Sequence, residues 1–310
     1  MKLVFSFILS ALCTAALFAQ AGPLSVADNV KLQKAESDLL QISYTMHTDS
    51  SDDTRFLACK LLIKDLVEAL KTPNSFNFDF SGLEGIKVIM APDSSFRFFT
   101  WELHVNREEY RHYGAIQYNT GELKLLPLID RGAQLRQNPE TAVTSNTDWL
   151  GYVIYNILRG GTYQGKPYYF LFGYDRHAAL SRQKVLDVFY FDDEGKPVFG
   201  LPVFAVYTPE GHLLEDHTRL VLTYSAEANI AMRFEPETNR IVYENLIIAQ
   251  GPDGGPISLP DGSYHALEYG TDGRWHEVSK VFDHKYEKAP VERVRPTEAK
   301  DIVGRPKGND

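Results

Sequence analysis

From Ser25 to about Met46, apolar Val26, Val30, Leu32, Ala35, Leu39 and Ile42 recur at roughly helical spacing among charged residues. This predicts a first helix, which weakens toward its end, where alternation begins. A second helix is more strongly marked. Asp52 and Asp53 can cap it, and Phe56, Leu57, Cys59, Leu61, Leu62, Ile63, Leu66, Val67 and Leu70 follow. Thr72-Pro73-Asn74 stops it, because proline cannot continue a helix and restricts the residue before it. The run Leu61-Leu62-Ile63 widens the apolar stripe and predicts a helix packed on two sides.

Beyond Ser75 the pattern changes to short aromatic and β-branched runs divided by turn clusters, the mark of antiparallel sheet. Strands are predicted over Phe76–Phe80, Ile86–Met90, Phe96–Val105, Gly114–Tyr118, Glu122–Leu126, Gly151–Leu158 and Tyr168–Tyr174. Further ones follow over Lys184–Phe191, Val203–Tyr207, Leu220–Tyr224, Ala231–Phe234, Ile241–Ile248 and Tyr264–Tyr269. Asn119-Thr120-Gly121, Asp192-Asp193-Glu194-Gly195, Pro209-Glu210-Gly211 and Thr271-Asp272-Gly273 carry hairpin chemistry, since Asn, Asp and Gly tolerate positive φ. The expected fold is mainly β: antiparallel sheets forming a sandwich, a partly closed barrel or a propeller-like body, preceded by two N-terminal helices.

The stretch Phe98–Glu102 resembles Leu171–Asp175, and each leads to an aromatic strand end, Tyr118 and Phe191, and then to a strand closing at proline, Pro127 and Pro202. A looser third copy runs from Leu220 through Phe234 to Tyr243. This suggests internal duplication, with a spacing longer than a propeller blade.

The first residues change the compartment. Lys2 precedes an apolar stretch from Leu3 to Phe18, then Ala19-Gln20-Ala21, the layout of a secretory signal peptide cut after Ala21 or Ala19. The apolar stretch is too short for a stable membrane span. Cys13 does not make a lipoprotein signal, because bulky Leu12 stands where a small residue is wanted. The expected organisation is a signal peptide over 1–21, a helical segment over 22–72, a β-sheet body over 73–284 and a flexible charged tail over 285–310.

Removing the signal peptide takes away one charge and leaves 31 basic against 41 acidic residues. Such a chain is repelled by phosphate backbones, which argues against nucleic acid as a partner. No further segment is long and apolar enough to span a membrane. One cysteine remains, Cys59, so no internal disulfide can form and the core must hold the fold.

Candidate chemistry is sparse. Gly160-Gly161-Thr162-Tyr163-Gln164-Gly165-Lys166-Pro167 nearly spells a phosphate-binding loop, but Pro167 replaces the hydroxyl residue and removes an amide, so it reads as a hairpin. His212 and His217 are five apart and share no face, and His265, His276 and His284 match no ligand spacing, so they read as surface histidines on strand ends. Asp49-Ser50-Ser51-Asp52-Asp53 lacks the glycine and glutamate of a calcium loop and reads as a helix cap. No metal site and no cofactor are expected. No nucleophile elbow occurs, and carboxylate pairs for glycan hydrolysis can be singled out only by geometry.

The chain holds three Trp, 17 Tyr and 18 Phe, crowded into strands. Aromatics with a polar edge serve core packing first and binding faces second. The candidate ligand-binding residues are Trp101, Tyr174, Asp175, Arg176 and His177, at the ends of aromatic strands, for a glycan or a peptide.

At Phe96–Trp101, Gly173-Tyr174-Asp175 and Gly195-Lys196-Pro197-Val198-Phe199-Gly200 the sequence resembles uncharacterised exported β-rich proteins of Gram-negative bacteria. The resemblance covers about Ser75 to Val281 and rests on aromatics and turns. It implies a shared body and export route, and no activity. The expectation is a periplasmic or secreted binding or structural protein, partnered by a glycan, a peptide or a cell-envelope protein, with an exported glycan hydrolase as the alternative.

Overall fold

The computed structural model describes residues 20–106, 108–207, 212–213, 216–251 and 254–279, with His177 by its backbone alone. Most of the expected signal peptide, the expected turn at Pro209-Glu210-Gly211, His284 and the expected tail over 285–310 lie outside the described residues.

Two helices open the fold. Helix α1 spans Val26–Thr48, and Ser25 caps it by accepting a hydrogen bond from the Asp28 N–H. Helix α2 spans Asp52–Leu70 and is capped by Ser51 rather than by the aspartates, which instead occupy its first turn. At its far end the Ser75 hydroxyl donates to the free carbonyl of Leu70 at 2.6 Å. Helix α2 packs against both α1 and the strand over Phe96–Asn106 through Leu62, Leu66 and Leu70, while Leu61 and Ile63, at the rim of the wide stripe, are 41% and 36% exposed.

The rest is mainly β, in antiparallel sheets. The strands are β1 (Lys87–Met90), β2 (Phe96–Asn106), β3 (Glu109–Tyr118), β4 (Leu125–Ile129), β5 (Thr144–Ser145), β6 (Val153–Tyr163), β7 (Lys166–Ala178) and β8 (Ser181–Phe191). After these come β9 (Pro197–Phe199), β10 (Phe204–Ala205), β11 (Leu220–Ser225), β12 (Met232–Glu235), β13 (Arg240–Gln250), β14 (Pro256–Tyr269) and β15 (Trp275–Ser279). A single helical turn, α3 (Gly132–Leu135), follows β4.

The first sheet runs β1-β2-β3-β4, the second β5-β9-β8-β7-β6, and the third β10-β15-β14-β13-β12. Strand β11 joins the second sheet along the edge of β8 that β9 leaves free. Among the described strands the one parallel ladder is β10–β15, and none of the three sheets closes on itself.

Alternation along the strands sorts side chains into three cores. On β2, Phe99, Trp101 and Leu103 face the helices and pack with Leu32, Leu39, Leu62 and Leu66. Phe96 and Phe98 point the other way, into a core shared with Tyr169, Leu171, Val185 and Phe189 of the second sheet. The opposite face of that sheet, Tyr168, Phe170, Phe172 and Val188, packs on Met232, Ile241, Leu267 and Trp275 of the third. The order is therefore helices, first sheet, second sheet, third sheet. A strand buried on both faces needs a nearly continuous apolar run, which Tyr168-Tyr169-Phe170-Leu171-Phe172 supplies. The Trp275 indole ties the third sheet down by donating to the Tyr168 hydroxyl at 3.1 Å, and its backbone N–H donates to the Val203 carbonyl at 2.8 Å.

Three expected turns join strands as read: β3 to β4 at Asn119-Thr120-Gly121, β8 to β9 at Asp192–Gly195, and β14 to β15 at Thr271-Asp272-Gly273. The near-phosphate-loop is the β6–β7 hairpin, with Gln164 at φ 48° and Gly165 at φ 79°. Phe76–Phe80 is not a strand. It holds a short 3-10 turn at Ser75–Asn77 and a left-handed Phe80 (φ 54°), because its carbonyls are turned toward Arg97. The two clearest copies of the internal resemblance occupy the β2-β3-β4 and β7-β8-β9 meanders. The third does not match them, because its first strand, β11, belongs to the second sheet and its next two to the third.

Candidate functional site

The first two sheets meet at a polar cluster in an otherwise apolar seam. Glu102 on β2 and His112 on β3 are direct cross-strand partners, on the face that Phe96 and Ile116 share with the second sheet. Asp130 follows β4, and Asp175 comes from β7 across the seam. The His112 imidazole is fully buried among them. Its Nδ1 lies 3.5 Å from Asp130 Oδ2, and its Nε2 lies 3.4 Å from Asp175 Oδ1 and 4.0 Å from Glu102 Oε2. At these separations and angles neither ring nitrogen completes a hydrogen bond. The edge of Trp149 closes the ring in, with centroids 6.4 Å apart.

Each carboxylate is separately fixed. Asp130 accepts from the backbone N–H of His112 at 2.9 Å and of Gly132 at 2.8 Å. Gly151, at φ +81°, stands so close that an added Cβ would lie 2.5 Å from Asp130 Oδ1, so glycine is required there. Burial alone would raise the pKa of Asp130. The contact with His112 and the two N–H donors outweigh it and hold the carboxyl below its ordinary value. Asp175 is paired with Arg136 and Glu102 Oε1 with Arg176 Nε at 2.7 Å, while Glu102 Oε2 is buried and accepts no hydrogen bond. Three carboxylates thus face two guanidinium groups and one imidazole.

Two clefts open onto this cluster from either side. The first, about 580 Å³, is lined by Tyr110, Arg111, His112, Asp130, Arg131 and Arg136, among others. The second, about 410 Å³, is lined by His47, Gly85, Lys87, Glu102, His104, Tyr110, Val153, Tyr174 and Arg176. Tyr110 is a wall common to both. His104 stacks on it at 4.9 Å between centroids, and the Arg176 guanidinium lies 5.4 Å from its centre. Tyr174 is braced by the Lys184 ammonium, 5.2 Å from its ring centre. Neither lining contains Ser, Thr or Cys.

Of the residues expected from sequence, Tyr174 and Arg176 line the second cleft and Asp175 lies buried beneath it. The His177 side chain is outside the described residues. Trp101 is not part of the site. It is buried on the helix-facing side of β2, stacked on Tyr113, because its position alternates with that of Glu102. The sequence reading missed Glu102, Tyr110, His112, Asp130 and Arg136. One signal was available: extending the period-two pattern of Gly114 and Ile116 backward places His112 and Tyr110 on the core-facing side.

The other histidines are placed individually. His217 is buried beside Phe204 rather than on the surface, with Nε2 3.6 Å from Glu140. His265 pairs with Glu277 and His276 with Asp272, and His212 is exposed. Among the described residues no three His, Cys, Asp or Glu side chains are arranged to hold a metal ion. No protein family matches the chain, and comparisons with curated proteins and with solved structures find no match either.

Proposed function

We propose that this is an exported binding protein of the bacterial periplasm or cell envelope, which takes an extended glycan against Tyr110 and Tyr174. The observation that carries the reading is the second cleft. It offers two braced aromatic rings beside two cations and a half-buried carboxylate, inside the roughly 300–1,000 Å³ range of ligand sites. Rings held by their neighbours present an apolar face at little entropic cost, and saccharide rings stack on such faces. The leader-like first 21 residues support export. Among the described residues no helix is long and apolar enough to cross a membrane. Face-to-face packing of the first two sheets supports a sandwich-like arrangement over a barrel or propeller.

The test is a glycan-array screen of the purified chain, with Tyr174→Ala and Arg176→Ala as comparisons. Loss of the bound set in both variants, with unchanged melting temperature, supports the cleft. An empty array, or identical profiles for all three proteins, refutes it.

A hydrolytic reading has one specific observation behind it: Glu102 and Asp130 are joined through His112, one reached from each cleft. Against it, Asp130 is held ionised, which suits a fixed anion better than the proton donor that glycoside cleavage requires. Reducing sugar released from any bound glycan, and abolished by Asp130→Asn, would replace the binding reading with this one.

A further inference from the structure

We propose that the second cleft selects acidic oligosaccharides, with the sugar carboxylate held by Lys87 and Arg176 and its ring against Tyr174; this rests on the glycan-binding reading above. The chain is acidic overall, with a formal net charge of −9, yet this lining reverses the balance. Its charged members are Lys87, Arg176 and Glu102, and the one anion is already engaged by Arg176 Nε. Lys87 is exposed on the edge strand β1 and has no hydrogen-bond or ion-pair partner among the described residues. Glu102 holds the Arg176 guanidinium at Nε and Tyr110 is a second hydrogen-bonding partner, and a guanidinium has further N–H donors that suit a carboxylate. Two imidazoles, His47 and His104, complete the rim as hydrogen-bonding groups, and His47 Nε2 is anchored to the Gly85 carbonyl at 3.2 Å.

The same lining disfavours an extended peptide. Peptide recognition by strand addition needs a row of free backbone groups. Here the Gly85 carbonyl already accepts from His47 and the His104 carbonyl from Arg55 Nε, and Tyr174 is paired with both β6 and β8, so only Lys87 and Val153 stand on sheet edges. What the cleft presents is side chains: aromatic faces and cations. In a field of like-charged surface, an isolated positive cleft also concentrates anions locally.

The experiment is titration calorimetry of the full chain with oligogalacturonate and, separately, with uncharged cello- and malto-oligosaccharides of the same length, at low and physiological salt. The expected result is binding of oligogalacturonate alone, weakened by salt, about tenfold weaker in Lys87→Ala, and lost in Tyr174→Ala. Equal binding of the uncharged sugars, with Lys87→Ala unchanged, overturns the selection for acid and leaves the glycan reading standing. Binding of neither sugar class overturns both. Unchanged melting temperatures for Lys87→Ala and Tyr174→Ala confirm that the variants fold. A poly-glutamate peptide is the control, and its binding in place of the sugar also overturns the proposal.

Discussion

Arg97 and Gln117 lie opposite one another on β2 and β3, and the Arg97 Nε donates to the Gln117 Oε1 at 2.8 Å. The rest of the buried guanidinium is spent on the irregular segment after α2: Nη1 on the Phe78 carbonyl and Nη2 on the Ser75 carbonyl at 2.9 Å. The amide of Gln117 continues the chain to the Ser75 hydroxyl at 3.1 Å. The rings of Phe76, Phe80 and Phe99 surround the cation at 4.8 to 5.4 Å. Desolvation pulls its pKa down to about 9, against the opposing charge of Asp79, so it stays charged at neutral pH.

Arg97→Met is expected to destabilise the fold strongly, because each buried acceptor left without a donor costs about 1–3 kcal/mol. Arg97→Lys is expected to recover little, since one ammonium cannot reproduce a planar fork aimed at three acceptors. Urea unfolding of the two variants checks this. A midpoint for Arg97→Met equal to that of the wild type would show that the segment over 75–80 is held by something else.

Acid sensitivity is expected to run through Asp130. Its folded-state pKa lies below the unfolded value, so its contribution to stability is complete above about pH 4 and is lost as pH falls through the lower, folded value. Melting temperature followed from pH 7 down to 2 should therefore decline more gently in Asp130→Asn than in the wild type. Parallel curves for the two proteins would count against the role given to His112 and the two backbone donors.

Gly173 tests the seam between the sheets. A Cβ there would meet Tyr152 Cδ2 at 2.5 Å, and that ring is fully buried with its hydroxyl bonded to Asp187 at 2.9 Å. Gly173→Ala is expected to cost about 1–3 kcal/mol by overpacking. Scanning calorimetry should show the loss, and pairing it with Tyr152→Phe should not relieve it, since the clash is with the ring and not the hydroxyl.

The place where the expected leader would be cut can be argued from the first described residues. The Ala21 N–H donates to Asn119 Oδ1 at 3.1 Å, and the Gly22 N–H to Asn74 Oδ1 at 2.8 Å. Asn77 Nδ2 donates back to both carbonyls of this pair, at 3.3 and 2.8 Å. A cut after Ala19 keeps all four contacts, whereas a cut after Ala21 discards the two that Ala21 makes. Mass spectrometry of the protein recovered outside the cytosol, the proposed site, is therefore expected to give Gln20 as the first residue, and finding Gly22 there would contradict the argument.

The helices were legible because their signals are local: Ser25 and Pro73 mark ends, and the apolar positions repeat within a few residues. Most strands were legible for the same reason. Phe76–Phe80 was misread because aromatic composition imitates a strand, while Arg97, more than fifteen residues later, dictates its backbone. The first half of β14 was missed because Pro256, Pro260 and Asp261-Gly262 punctuate it like a loop. In the candidate site Tyr174 and Arg176 could be read as a polar end to an aromatic strand. His112 could not be given its partners, which reach it from β2, from β7 and from the residue after β4. No spacing rule spans those distances, because only the packing of one sheet on another brings them together.

The Trp275 indole reaches back more than a hundred residues to Tyr168, and the parallel β10–β15 pair spans about seventy. Contacts so distant in the chain make folding slow, since a long loop must close before they reward it. During synthesis the second sheet would therefore keep Phe170 and Phe172 uncovered until β12 to β15 emerge. An incomplete chain of this kind presents a sticky surface to other unfinished copies and to chaperones, so holding the chain loose until its final turn is made would spare it that exposure.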